Sequence, residues 1–263
     1  MKALTLPELH AHLTEALVAF DAYCRRRDIR YSLCGGTLIG AIRHGGFIPW
    51  DDDVDVMMTR TEYRRLRRSW QDDPDPDYVL LTDDPSAPAF AGESGKWYAR
   101  ATAPHTPTDD YDIGLFMDIF IADGLPDDLA AAQAHLDTVH RLGRRYHSMY
   151  KRRQRVPWRL LQALIPSWRP QRIYEKLARE IDRYPDTQSH VALLLGSGHD
   201  LARELIPRQY FDKFVELSFG GHRVSAIADY DAYLRRYYGD YMTLPPEAER
   251  RSYHTRNHIL KRP

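Results

Sequence analysis

The stretch Cys34-Gly35-Gly36-Thr37-Leu38-Ile39-Gly40-Ala41-Ile42-Arg43-His44-Gly45-Gly46-Phe47-Ile48-Pro49-Trp50-Asp51-Asp52-Asp53-Val54-Asp55-Val56-Met57-Met58 decides how this chain is read. Tyr31, Leu33 and Cys34 close an apolar, aromatic run of strand type on two glycines. Gly35 and Gly36 reach backbone angles closed to other residues and let a ligand approach the main chain. Thr37 is the expected N-cap of a short helix carrying Leu38, Ile39, Ala41 and Ile42. A strand, a glycine turn and a helix start together expose unpaired backbone N–H groups, which suits a phosphate. The same elements also open helices that bind nothing, so the carboxylates downstream carry the decision.

In the alternation Asp53-Val54-Asp55-Val56, strand period points the two acids to one face and the two valines to the other. Carboxylates held side by side repel, and a cation between them relieves the repulsion. Oxygen ligands of this kind favour Mg²⁺ or Mn²⁺. Asp51 shares the parity and joins the set if the strand begins that early, with Asp52 then facing away. The competing reading is a solvated acidic turn, which the flanking Trp50 and Val/Met strand disfavour.

At 263 residues the chain suits one large domain or two small ones, and 43% hydrophobic against 28% charged residues is the balance of a soluble globular protein. A net charge of zero gives no general pull toward nucleic acid, so none is expected as a partner. Two cysteines, Cys24 and Cys34, fit a reduced intracellular protein better than a disulfide scaffold. The N-terminus lacks a signal-peptide apolar core and no apolar run spans a bilayer, so a cytoplasmic location is expected.

Residues 7–27 have helical apolar spacing, and residues 60–70 form a second, basic helix. Residues 71–94 form a loop with a short strand at Tyr78–Leu81. Lys96 to Arg100 read as a strand with Lys96, Tyr98 and Arg100 on one side, either neutralising nucleotide phosphates or lying on an exposed face. Asp118 stands alone in an apolar run of buried-strand type, so it requires a metal or a cation partner. Asp123 is placed as a cap of the turn into a long helix at 127–154. Between Arg141 and Arg183 there are thirteen Lys or Arg against three acids, interleaved with Tyr146, Trp158 and Trp168. That pattern is either a membrane-surface element or a solvated helical face. Phe214–Phe219, Gly220-Gly221 and His222–Ile227 read as a hairpin, and Asp229 caps a following helix.

The stretch from Gly35 to Val56 resembles the signature of the LicD family, phosphotransferases related to fukutin and fukutin-related protein within the nucleotidyltransferase-fold superfamily. Met117-Asp118-Ile119-Phe120 followed by Asp123-Gly124-Leu125-Pro126 is similar to the family's second motif, and Tyr238 to Pro246 with Arg250, Arg251 and His254 to its closing motif. The resemblance implies an α+β fold, a nucleotidyltransferase-like mixed sheet flanked by helices with a helical basic insertion. Its parts would be a core at 1–126, a basic helical segment at 127–200 in contact with membrane or acceptor, and a hairpin and helix at 201–263 completing the core. It places Asp118 where the third acid belongs, giving a metal set of Asp53, Asp55 and Asp118 for Mg²⁺ or Mn²⁺, with Asp51 joining them as a catalytic acid. Gly35, Gly36, Thr37, Arg43, His44, Lys96 and Arg100 would meet the nucleotide phosphates. Trp50, Arg250, Arg251 and His254 would meet the acceptor or the donor head.

The implied activity is transfer of phosphocholine from CDP-choline to a hydroxyl of a surface glycan, a lipid-linked glycan or a teichoic-acid precursor, at the inner face of the membrane. An aromatic cage drawn from Trp50, Trp97, Tyr98, Tyr237 and Tyr238 would hold the quaternary ammonium. Alternatives are a CDP-ribitol or CDP-glycerol donor, a nucleotidyltransferase acting on a small molecule, and a non-catalytic membrane adaptor. The chain departs from many members at Phe219-Gly220-Gly221, where they carry Phe-Glu-Gly.

Overall fold

A computed structural model of the protein describes residues 4–82, 95–104, 114–152, 170–195, 200–251 and 258–260. It is an α+β structure with a mixed sheet flanked by helices, and it divides into two compact units. The first is built from Met1–Leu81, Gly95–Phe120 and Gln209–Pro263, the second around Ile121–Arg208.

The first unit opens with helix α1, Leu6–Arg25. Thr5 caps it through a reciprocal box, its hydroxyl accepting from the Glu8 N–H while the Glu8 carboxylate accepts from the Thr5 N–H at 2.8 Å. Leu9, Leu13, Leu17 and Phe20 recur at helical spacing and are buried. Strand β1, Ser32–Leu33, pairs antiparallel with β2, Asp55–Thr59, and helix α2, Gly35–His44, runs between them. Helix α3, Arg60–Asp72, follows β2, then β3, Tyr78–Leu81, and β4, Gly95–Ala99. With β6, Phe116–Gly124, these strands take the order β1-β2-β6-β4-β3. The short β5, Thr102–Pro104, pairs antiparallel with β11, His258–Leu260.

Trp97 anchors the core under β4. It is fully buried, stacked on Tyr78 at 5.1 Å and met edge-on by Phe20 and Trp70. The expected hairpin forms as β9, Phe214–Phe219, and β10, His222–Ile227, with Phe219 opposite His222. Gly220 and Gly221 have φ of +57° and +84°, the left-handed pair that a two-residue turn needs. The β10 Ile227 N–H donates to the Ser32 hydroxyl at 2.9 Å, tying the hairpin to β1.

In the second unit, helices α4, Leu129–Arg152, and α5, Pro170–Ile181, bury their apolar faces together. Leu136 and Val139 of α4 share one apolar cluster with Leu177 and Ile181 of α5, and Tyr146 and Tyr174 share a second. Asp128, not Asp123, caps α4, its carboxylate accepting from the Ala131 N–H at 2.8 Å. Asp123 is instead a buried residue of β6, paired in register with Ala192 of β7, His190–Ala192. The unit closes with α6, Leu201–Glu204, and β8, Ile206–Pro207, which pairs with β7. Helix α7, Tyr230–Tyr238, belongs to the first unit.

The basic stretch thus resolves into two parts. The apolar faces of α4 and α5 are occupied by one another, while Arg141, Arg144, Arg145, Arg172, Lys176 and Arg179 are exposed. Trp158 and Trp168 lie outside the described residues. Among the described residues, no helix is long and apolar enough to cross a membrane.

Candidate active site

The site assembles around the first turn of α2. Cys34 holds the N-cap position with extended backbone and no side-chain cap, and its N–H donates to the Asp55 carbonyl at 3.2 Å. Thr37, expected as the cap, lies inside the helix. Its buried hydroxyl accepts from the Asp55 N–H at 2.8 Å, fixing the start of β2 to the helix. The helix therefore begins three residues earlier than the sequence reading, because Gly35 takes φ +55° and turns the chain sharply out of β1.

What approaches the two glycines here is carboxylate oxygen. A methyl group at Gly36 would stand 2.6 Å from Asp51 Oδ2, and one at Gly35 would stand 3.2 Å from Asp55 Oδ2 and 3.6 Å from the Tyr238 hydroxyl. The Gly35 N–H donates to the buried Tyr233 hydroxyl.

Strand pairing brings the third acid in. The Asp118 N–H donates to the Val54 carbonyl at 2.9 Å, locking β6 beside the acid-bearing segment. Met117 and Ile119 face the core while Asp118 faces the other way, 21% exposed. Asp118 is thus half-buried rather than sunk in the core, and it has a cation partner: Lys96 lies opposite it in the β4–β6 register and forms an ion pair with it. The Lys96 ammonium also stands 3.9 Å over the Phe116 ring. Arg100 lies, exposed, in the turn after β4, so strand parity does not carry it onto the Lys96 face.

The electrostatics report crowding. Burial drives the Asp55 carboxyl well above the usual range, Asp53, Asp118 and Asp51 push the same way, and Lys96 opposes them. Asp51 is pushed up to about 7, by burial first and then by Asp53 and Asp52. Among the described residues, Asp51, Asp52 and Asp53 each offer an oxygen within 4.8 Å of the others. Asp52 is drawn in because β2 starts only at Asp55, so strand parity does not reach back to it. One Asp52 oxygen is buried without a hydrogen-bond partner. An orphaned carboxylate oxygen beside mutually repelling acids is a donor set that fits a hard divalent cation.

The surroundings hold these groups in place. His10 Nε2 lies 2.6 Å from the Asp51 carbonyl, and its ring stacks on Phe47 at 4.0 Å. Sequence reading passed over His10, which lies one position off the apolar stripe of α1 and has no motif around it. Arg43, expected on a phosphate, donates to the carbonyls of Tyr241 at 2.7 Å and Thr243 at 3.4 Å. His44 accepts from Arg43 Nε at 3.0 Å, and burial, helped by Arg43, lowers its pKa and favours the neutral ring. The Arg250 guanidinium lies 5.7 Å over the Trp50 ring. Arg251 is exposed, and His254 lies outside the described residues.

A strand, a glycine-opened helix and acids gathered on neighbouring strands make up the candidate site, and residues 28–81 match the family model described as LicD/FKTN/FKRP, nucleotidyltransferase domain. The chain is 34% identical, over 97% of its own length and 97% of the relative's, to the lipopolysaccharide cholinephosphotransferase LicD of Haemophilus influenzae. It therefore belongs to the LicD family. Two uncharacterised proteins, of Rickettsia prowazekii and Rickettsia typhi, are 42% identical over 55 residues, 21% of this chain and 18% and 16% of theirs.

Proposed function

We propose that this protein is a cholinephosphotransferase that moves phosphocholine from CDP-choline to a hydroxyl of lipopolysaccharide or its lipid-linked precursor. The observation that carries the reading is the near end-to-end match to the Haemophilus influenzae enzyme. The crowded carboxylates at α2 support it.

In the proposed reaction the acceptor oxygen attacks the phosphorus that bears choline. The bond from that phosphorus to the oxygen of CMP breaks in line, and CMP leaves. The acceptor proton passes to a carboxylate, Asp51 or Asp118. Asp53, Asp55 and Asp118 would hold Mg²⁺ or Mn²⁺, with Asp51 and Asp52 beside them. Bound there, the ion would neutralise charge on the diphosphate. Lys96 shares Asp118 and adds a positive charge at the same face. Positioning and charge neutralisation supply the rate, and no covalent intermediate is needed. The exposed arginines and lysine of α4 and α5 would hold the enzyme against an anionic, lipid-bearing surface on the cytoplasmic side.

The test incubates the purified protein with CDP-choline, Mn²⁺ and lipopolysaccharide stripped of phosphocholine. CMP release that requires acceptor, a phosphocholine mass increment on the glycan, and loss of both in an Asp53→Asn, Asp55→Asn protein are expected. Turnover of CDP-ribitol or CDP-glycerol but not CDP-choline would replace the donor. Transfer of a nucleotide from CTP would replace the reaction.

A further inference from the structure

Residues 45–54 join α2 to β2 without a helix or strand of their own, and the three clustered acids stand on this loop. A loop outside any ladder keeps its shape through the bonds its main-chain groups make elsewhere. The Asp51 N–H donates to the Ile48 carbonyl at 2.9 Å, which closes a turn inside the loop. The Asp51 carbonyl is met from outside the loop, by His10 Nε2 at 2.6 Å across 41 positions of sequence. A carbonyl oxygen only accepts, so that nitrogen carries hydrogen and is not the lone-pair nitrogen that a base or a metal ligand must be.

His10 grips the loop a second time. Its ring lies flat on Phe47, with 4.0 Å between centroids and 5° between planes, and Phe47 meets the buried Phe219 edge-on at 4.9 Å. The Gly220 N–H, next along from Phe219, donates to the Gly45 carbonyl at 2.8 Å. The row of rings therefore rests on the hairpin, and the hairpin also holds the start of the loop. Stacking fixes the plane of the imidazole, and the plane fixes where its N–H points.

The Asp51 carbonyl belongs to the planar peptide that joins Asp51 to Asp52. A donor on that oxygen orients the plane, and with it the Cα positions of both acids. From there Asp51 sets Oδ2 against Gly36, and Asp52 keeps an oxygen buried with no hydrogen-bond partner. We infer that His10 is a positioning residue for the acidic loop: by holding the Asp51–Asp52 peptide it sets the spacing of the carboxylate oxygens, and so the affinity for a divalent cation. The inference rests on the cation proposed for these acids and is independent of which donor the enzyme uses.

Calorimetry with Mn²⁺ alone, paired with thermal unfolding in EDTA, tests it on the wild type and on His10→Phe, His10→Ala and His10→Gln. Phenylalanine keeps a ring for Phe47 and loses the N–H, whereas glutamine puts an amide N–H where the Nε2–H stands. His10→Phe is expected to weaken Mn²⁺ on the order of tenfold while unfolding in EDTA as the wild type does, and His10→Ala to weaken it at least as much. His10→Gln is expected to recover most of the affinity. Wild-type affinity in His10→Phe and His10→Ala would overturn the inference, as would a loss that His10→Gln shares in full. A wild type that binds no Mn²⁺ would instead overturn the cation assignment, and the inference with it.

Discussion

Gly36→Ala separates the chemistry of this site from its folding. The added methyl group would lie 2.6 Å from Asp51 Oδ2, where ordinary contact begins at 3.4 Å. The obstacle is the end of a side chain, so the carboxylate yields and the helix stays. Gly36 lies within α2, where alanine is favoured over glycine by about 0.5–1 kcal/mol, which offsets the crowding. The retreat is about 0.8 Å, and displacing a reacting group by about 1 Å costs on the order of 100-fold in rate. Gly40→Ala is the control. Its methyl group would meet the Gly46 carbonyl at 2.4 Å and the Ile48 nitrogen at 3.1 Å, and backbone cannot rotate aside. That change is expected to cost about 1–3 kcal/mol of stability. Urea unfolding and CMP release, measured on both variants, check the pair. A Gly36→Ala protein that keeps the wild-type rate, or that loses as much stability as Gly40→Ala, would refute the placement of Asp51 against the helix.

Lys96→Met leaves Asp118 without the cation of a largely buried pair and is expected to lower stability by about 2 kcal/mol in metal-free buffer. Adding Asp118→Asn should recover most of that in a double-mutant cycle read by urea unfolding. Thr37→Val removes the acceptor of the Asp55 N–H and should cost about 1–3 kcal/mol, whereas Thr37→Ser should stay near wild type in thermal unfolding. Cys24 and Cys34 are free and buried, and burial pushes both thiols well up, toward the protonated form. A colorimetric thiol titration at mildly alkaline pH should find neither reactive in the native protein and both reactive after denaturation.

Features written in neighbouring residues were legible without a structure. The spacing of Leu9, Leu13, Leu17 and Phe20 marks α1, the glycine pair at 220–221 marks the hairpin, and Tyr78–Leu81 stands out from its proline- and aspartate-rich flanks. Each depends on local backbone preference or on periodicity within one element. The family membership was legible for a related reason, since its signature is a continuous run of residues.

Errors arose where a rule was carried past the element it belongs to. Strand parity assigned Asp52 away from the other acids and Arg100 onto the Lys96 face, but β2 begins after Asp52 and β4 ends before Arg100. Capping preference chose Thr37, because threonine caps helices more often than cysteine. In the fold its hydroxyl answers an N–H donor 18 residues away instead. For the basic stretch the sequence left a membrane-surface element and a solvated helical face open, because it shows an apolar face without showing what covers it. In α4 and α5 each helix covers the other.

The sequence by itself determined the elements, the turn chemistry and the supply of carboxylates, because those follow from interactions between residues close along the chain. Only the tertiary structure decided that Lys96 pairs with Asp118, that Asp51 fills the space above Gly36, that Asp52 enters the acidic group, and that the Tyr238 hydroxyl comes beside Gly35. Those outcomes depend on strand register and on helix placement, which are settled by hydrogen bonds and packing between residues far apart in sequence, such as the Asp118 N–H on the Val54 carbonyl.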